Sequence, residues 1–118
     1  MWEVEYTDEF GEWWNQLDAR EQESIAAGVE LLRQLGPHLP RPHADTLKGS
    51  RHSNMKELRT QCEGRPLRTL FAFDPRRRAI LLIGGDKSGD NRFYENMIPL
   101  ADALYDAHLE TLRKEGVI

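Results

Sequence analysis

Glu57 and Arg59 stand two residues apart, Arg68 follows shortly after, and Lys87 and Tyr94 lie further along the same stretch of chain. Together they are a carboxylate, two guanidinium groups, an ammonium and a phenol, the residue types that neutralise a phosphate and move protons beside it. Side chains two apart on a strand share a face, so Glu57 and Arg59 project together. Arg68 joins them if a hairpin brings it alongside. Guanidinium forks hold phosphate oxygens bidentately and stay charged at every working pH, which suits Arg59 and Arg68 to charge building on a phosphorane. Cleavage of RNA by its own 2′-hydroxyl also needs a group to accept that proton and another to protonate the departing 5′ oxygen. Glu57, His52, Tyr94 and Lys87 are all candidates, and residue type does not choose among them. Phe93 or Tyr94 could stack on an unpaired base.

The surrounding charge fits such a ligand. Twelve of the sixteen Lys and Arg residues fall between Arg41 and Arg92. Residues 1 to 40 hold 2 basic and 9 acidic side chains, residues 41 to 92 hold 12 and 6, and residues 93 to 118 hold 2 and 5. The net charge of −4 therefore hides a basic centre between acidic flanks, and a polyanion responds to the local field. Lys48, His52, Lys56, Arg65 and Arg92 are the candidates for holding an RNA backbone beside the reacting groups.

A chain of 118 residues with 39% hydrophobic and 31% charged residues is expected to form one globular domain over residues 1 to 118. Its longest apolar run, Ala79 to Ile83, is far too short for a membrane helix, and the first residues lack the pattern of a signal peptide, so a cytoplasmic location is expected. The lone cysteine, Cys62, reads as a structural thiol.

The elements that must position these groups are legible in the periodicity. Trp2, Val4 and Tyr6 alternate with glutamates as in a strand. Thr7 or Asp8 can cap a helix with Phe10, Trp13, Trp14 and Leu17 on one face. Asp18 and Glu21 form a second cap before Ile25, Val29, Leu32 and Leu35, and Gly36-Pro37 ends that helix. Residues 36 to 54 read as a long ordered loop. Met55 to Cys62, Leu67 to Asp74 and Ala79 to Gly85 are strand-like and separated by short turns, which predicts an antiparallel meander. The unbroken apolar run of the third suggests a strand buried on both faces, so helices must cover the sheet on both sides. A last helix is expected to start near Pro99, with Ile98, Ala101, Tyr105, Leu109 and Leu112 facing inward.

Duller readings stand beside the chemical ones. Glu57 and Arg59 could be a structural ion pair, and Arg76-Arg77-Arg78 reads as a solvated turn and is left out of the site. His38, His43 and His52 have no familiar metal-ligand spacing, so no metal site is expected. His108 reads as a helix-surface residue, and Gly84-Gly85 as a tight turn at a strand end.

The order of elements, with Leu47-Lys48-Gly49, Lys56-Glu57-Leu58-Arg59, Pro66-Leu67-Arg68-Thr69-Leu70-Phe71 and Gly84-Gly85-Asp86-Lys87, resembles the RelE/HigB superfamily of type II toxins, in particular its phage-type, Gp49-like HigB subgroup. The resemblance implies an α+β, RelE-like fold: a small, mostly antiparallel sheet packed by two N-terminal helices and one C-terminal helix. It implies an endoribonuclease that cuts mRNA, usually in the ribosomal A site, needs no cofactor, and is silenced by a cognate antitoxin, commonly a helix-turn-helix, HigA-like protein. Lys48, Glu57, Arg59, Arg68 and Lys87 match family positions. Many relatives carry an aromatic residue and paired lysines where this chain has Asp86, Lys87 and Ser88. The ParE branch of related folds implies a different outcome, inhibition of DNA gyrase by binding, and a non-catalytic interaction protein is a third.

Overall fold

The computed structural model describes all 118 residues. The alternating amino end forms β1 (Val4–Tyr6), and the Thr7 hydroxyl caps α1 (Asp8–Asn15) by accepting the Phe10 N–H at 3.0 Å. Asp18 and Glu21 exchange side-chain and backbone bonds of 2.8 and 2.9 Å, a full capping box that starts α2 (Ala19–Leu35) immediately after α1. Gly36, at φ +57°, ends α2, and a Cβ there would stand 2.4 Å from the Trp2 ring. The segment expected to be all loop contains a 3-10 turn, Gly36–His38, and a short strand, β2 (Ala44–Thr46). Three residues are too few for a period-2 pattern to register.

The meander follows as β3 (Met55–Cys62), β4 (Arg65–Phe73) and β5 (Ala79–Asp86). Glu63 and Gly64 both take positive φ, 52° and 79°, the twist that joins antiparallel strands through a two-residue turn. The five strands lie in the order β1-β5-β4-β3-β2, antiparallel except for β1 against β5. The expected interior position of β5 is therefore observed, with a strand on each side.

Helices α1 and α2 cover one face over a core of Phe10, Ile25, Leu32, Leu58, Phe71 and Leu81. The last helix, α3 (Phe93–Lys114), covers the other over Met55, Leu70, Ile80, Leu82, Phe93 and Tyr105. Helix α3 begins at Phe93, six residues before the expected start, and Pro99 lies inside it on the exposed side. Burial of Phe93 and Ile98 against β5 draws the chain into helix early, and Pro99, the seventh residue of the helix, withholds one N–H, the one that would bond the Glu95 carbonyl.

The register between β4 and β5 shifts at one point: Leu70 faces Ile83 while Phe71 faces Leu81, so Leu82 is an extra residue. This β-bulge inverts the alternation beyond it. Gly84 consequently faces Trp13 of α1, and Gly85 faces Phe93 of α3. These glycines lie within β5 and not in a turn. They are small because aromatic rings rest on them. A Cβ at Gly84 would stand 2.1 Å from the Trp13 ring. The Gly84→Ala protein should therefore lose about 1–3 kcal/mol through overpacking, read as a lower midpoint in chemical denaturation.

The arginine triplet is not a solvated tip. Arg76 bonds Asp74 at 2.7 Å and Glu5 at 2.8 Å, Arg78 bonds Glu5 at 3.0 Å, and the Arg77 guanidinium lies over the Trp2 ring. His108 likewise is not a free surface residue: its Nε2 is 2.8 Å from Asp74 Oδ2. No helix is long and apolar enough to cross a membrane.

Candidate active site

Strand register decides which side chains meet. Met55, Glu57 and Arg59 point to the α3 side of β3, and Arg68 of β4 lies directly opposite Arg59. Asp45 of β2 lies opposite Glu57 on the other flank, and Gly85 of β5 lies opposite Arg68. The bulge turns Lys87 to this side too, where its ammonium sits over the Tyr94 ring at 5.3 Å. Tyr94 comes from the first turn of α3.

Glu57 is the hub. It is 2% exposed, its Oε1 accepts the Tyr94 hydroxyl at 2.7 Å, and its Oε2 accepts Arg59 Nε at 3.1 Å. Arg68 Nε lies 3.5 Å from Oε1. Two arginines directly opposite on a sheet repel, and the buried carboxylate beside them offsets that repulsion. Arg68 Nε is fully buried with no hydrogen bond, while Nη1 donates to the Leu67 carbonyl at 3.1 Å. A carboxylate engaged by three partners is better suited to orienting those groups than to seeking a proton from substrate. Burial, and then the Glu57 carboxylate, push the Tyr94 hydroxyl above its usual range, with Arg68 acting the other way. Tyr94 thus stays protonated with its proton directed at Glu57.

Lys48 is exposed in the loop after β2, and Arg92 is exposed at the start of α3, 3.9 Å from Glu95. Three other candidates stand elsewhere. Lys56 projects from the opposite face of β3, because its neighbour Glu57 takes the α3 side. Arg65 reaches α2, where Glu21 holds it at 2.8 Å. His52 is 2.7 Å from Asp106 and packs edge-on against Tyr105. That places it about 18 Å along α3 from Tyr94, given the rise of an α-helix. Sequence reasoning missed Asp45. Its only signal was a carboxylate in a loop, since β2 itself was not legible.

A concavity of about 750 Å³ lies on the other side of the sheet among Val4, Tyr6, Phe10, Trp14 and Val29. The charged cluster does not line it: Glu57, Arg59, Arg68, Lys87 and Tyr94 lie on the α3 side of the sheet, with Glu57 buried and the others partly exposed.

Comparisons with known proteins agree with this architecture. Residues 12–106 match the family described as Phage derived protein Gp49-like (DUF891). Two proteins of Mycobacterium tuberculosis (strain ATCC 25618 / H37Rv) that carry toxin names are similar. HigB2 is 46% identical over 99 residues, covering 82% of this chain and 49% of that protein. HigB3 is 47% identical over 91 residues, covering 76% of this chain and 78% of that protein. The chain thus spans about half the length of HigB2. The isolated E. coli RelE toxin shares the fold with a TM-score of 0.59 at 9% identity, over 82% of this chain and 96% of RelE. With its meander, its three helices and its Gp49-like sequence, the chain belongs to the Gp49-like family of the RelE/HigB toxin superfamily.

Proposed function

We propose that this chain is the toxin of a toxin–antitoxin pair and that it cleaves mRNA during translation. The observation that carries the reading is the pairing of Arg59 and Arg68 across β3 and β4 around the buried Glu57, with Tyr94 and Lys87 above them. In the proposed reaction the 2′-oxygen attacks the adjacent phosphorus and the bond to the 5′ oxygen breaks, leaving a 2′,3′-cyclic phosphate and a 5′-hydroxyl. Arg59 and Arg68 neutralise the non-bridging oxygens as charge builds. As the 2′-oxygen attacks, its proton passes to the Tyr94 oxygen while Tyr94 hands its own proton to Glu57, and the Lys87 ammonium gives a proton to the departing 5′ oxygen. Lys48 and Arg92, both exposed, are the proposed contacts to the RNA backbone, and a helix-turn-helix antitoxin is the proposed partner.

Primer extension on a defined mRNA, in a reconstituted translation reaction and again without ribosomes, tests the reading. In-frame cuts appearing only during translation are the expected outcome. Cuts in free mRNA would retain the nuclease and remove the ribosome. Intact mRNA together with gyrase-dependent DNA breaks would replace the nuclease by an inhibitor that acts through binding.

A further inference from the structure

We infer that Asp45 is a positioning residue that sets the direction of Arg59 for the reaction, an inference that rests on reading the cluster as an RNA-cleaving site. The register of β2 against β3 puts Asp45 beside Glu57, so the Arg59 guanidinium lies between two carboxylates. Its Nε bonds Glu57 Oε2 at 3.1 Å, and its Nη2 is 3.5 Å from Asp45 Oδ2. Nη1 is left without a protein acceptor, the nitrogen available to a phosphate.

Asp45 is itself held on two sides. Its Oδ1 accepts the Thr46 N–H at 2.9 Å, and its Oδ2 accepts Arg41 Nε at 2.9 Å. The Arg41 guanidinium, with Thr46 assisting, holds the Asp45 carboxyl below the usual aspartate range, so it keeps its charge. Arg59 needs such a support. Its long side chain is 35% exposed, and Arg68 lies directly opposite and repels it. With Asp45 gone, a single contact at Nε remains, and the guanidinium is free to turn toward water.

The two effects of Asp45 on the reaction have opposite signs. As a negative charge near the phosphate it weakens RNA attraction, while as a support for Arg59 it speeds the chemical step. A residue that served folding alone would lower both quantities together or neither.

Single-turnover cleavage of an mRNA that the wild type cuts, with binding measured on the same mRNA carrying a 2′-deoxy nucleotide at the cut site, separates them. Where the wild type requires ribosomes, both measurements use programmed ribosomes. Asp45→Asn and Asp45→Ser should each slow cleavage about 10-fold, since small misplacements of a catalytic group have effects of that order or larger. Their affinity for the blocked mRNA should be unchanged or tighter. Asp45→Glu should recover part of the rate, and in an Arg59→Ala background Asp45→Asn should have no further effect. An unchanged rate, a parallel loss of rate and affinity, or an effect that persists without Arg59 would each overturn the role. Thermal melts of each variant identify any loss due to unfolding. A wild type that cuts no RNA removes the nuclease reading and this role together, whereas an active wild type with an equally active Asp45→Asn removes only the role.

Discussion

Alanine in place of Arg68 should lower mRNA cleavage by about 10²-fold or more while leaving the fold in place, because one well-directed donor to developing charge is worth that much. The small structural effect follows from how Arg68 is held. Its Nε is buried without a hydrogen bond, and 3.5 Å separates it from Glu57 Oε1. Buried polar groups are normally satisfied, and an exception costs stability. Removing Arg68 therefore relieves one cost while withdrawing one cation from Glu57, which keeps Tyr94 and Arg59. The melting temperature should shift by only a few degrees, corresponding to about 1 kcal/mol. Glu57→Ala is the contrasting case: it leaves Arg59 and Arg68 facing each other with no carboxylate between them, so stability and cleavage should fall together. Circular dichroism melts and primer extension on the same preparations separate the two. A fully active, folded Arg68→Ala protein would remove Arg68 from the mechanism.

The pattern of what was legible follows from range. Capping and periodicity are local, and they located α1, α2, the three long strands and the double-sided burial of β5. The face of β3 that carries Glu57 and Arg59 was readable for the same reason, but its register against β4 was not: β4 begins at Arg65 and not at Leu67, and the two-residue turn at Glu63-Gly64 puts Arg68 opposite Arg59. What local pattern does not carry is a contact between distant segments. β2 has three residues, and only its partner β3 makes it a strand. Arg65 looked like one more cation of the basic centre, yet α2 presents Glu21 to it. Lys56 shares a charge class with the site and projects from the wrong face. The bulge at Leu82 is invisible in an unbroken apolar run, yet it turns Gly85 and Lys87 toward Arg68. The basic segment seen in the sequence thus separates into the proposed reacting cluster at Arg59, Arg68 and Lys87 and a structural group at Arg76 and Arg78.

That structural group predicts the largest loss of stability. The Asp74 side chain is fully buried and accepts from Arg76 Nη2 at 2.7 Å and from the Arg76 N–H at 2.8 Å, with His108 Nε2 at 2.8 Å. Arg76 continues to Glu5, so one carboxylate ties the β4–β5 turn to β1 and to α3. Asp74→Ala leaves His108, 13% exposed, without its carboxylate and Arg76, 18% exposed, with Glu5 alone. Breaking a buried pair from one side costs about 3–5 kcal/mol, a large part of the stability of a small domain. The same carboxylate sets the response to acid. Burial alone would raise the Asp74 pKa, but the bonds from Arg76 and His108 outweigh it and hold the group below its usual 3.8. Arg76 also lowers Glu5, against burial and with help from Arg78. A lowered native value means that the stabilisation is complete above the unfolded value and is lost as pH falls through the native one. Urea denaturation of the wild type should therefore show stability declining steeply below 3.8. Asp74→Asn, which keeps the shape and removes the charge, should be less stable at neutral pH and decline less steeply in acid. Parallel curves for the two proteins would place the acid-sensitive contact elsewhere. Because this network lies toward the far end of α3 from Tyr94, whatever fraction of either Asp74 variant remains folded should cut mRNA at the wild-type rate.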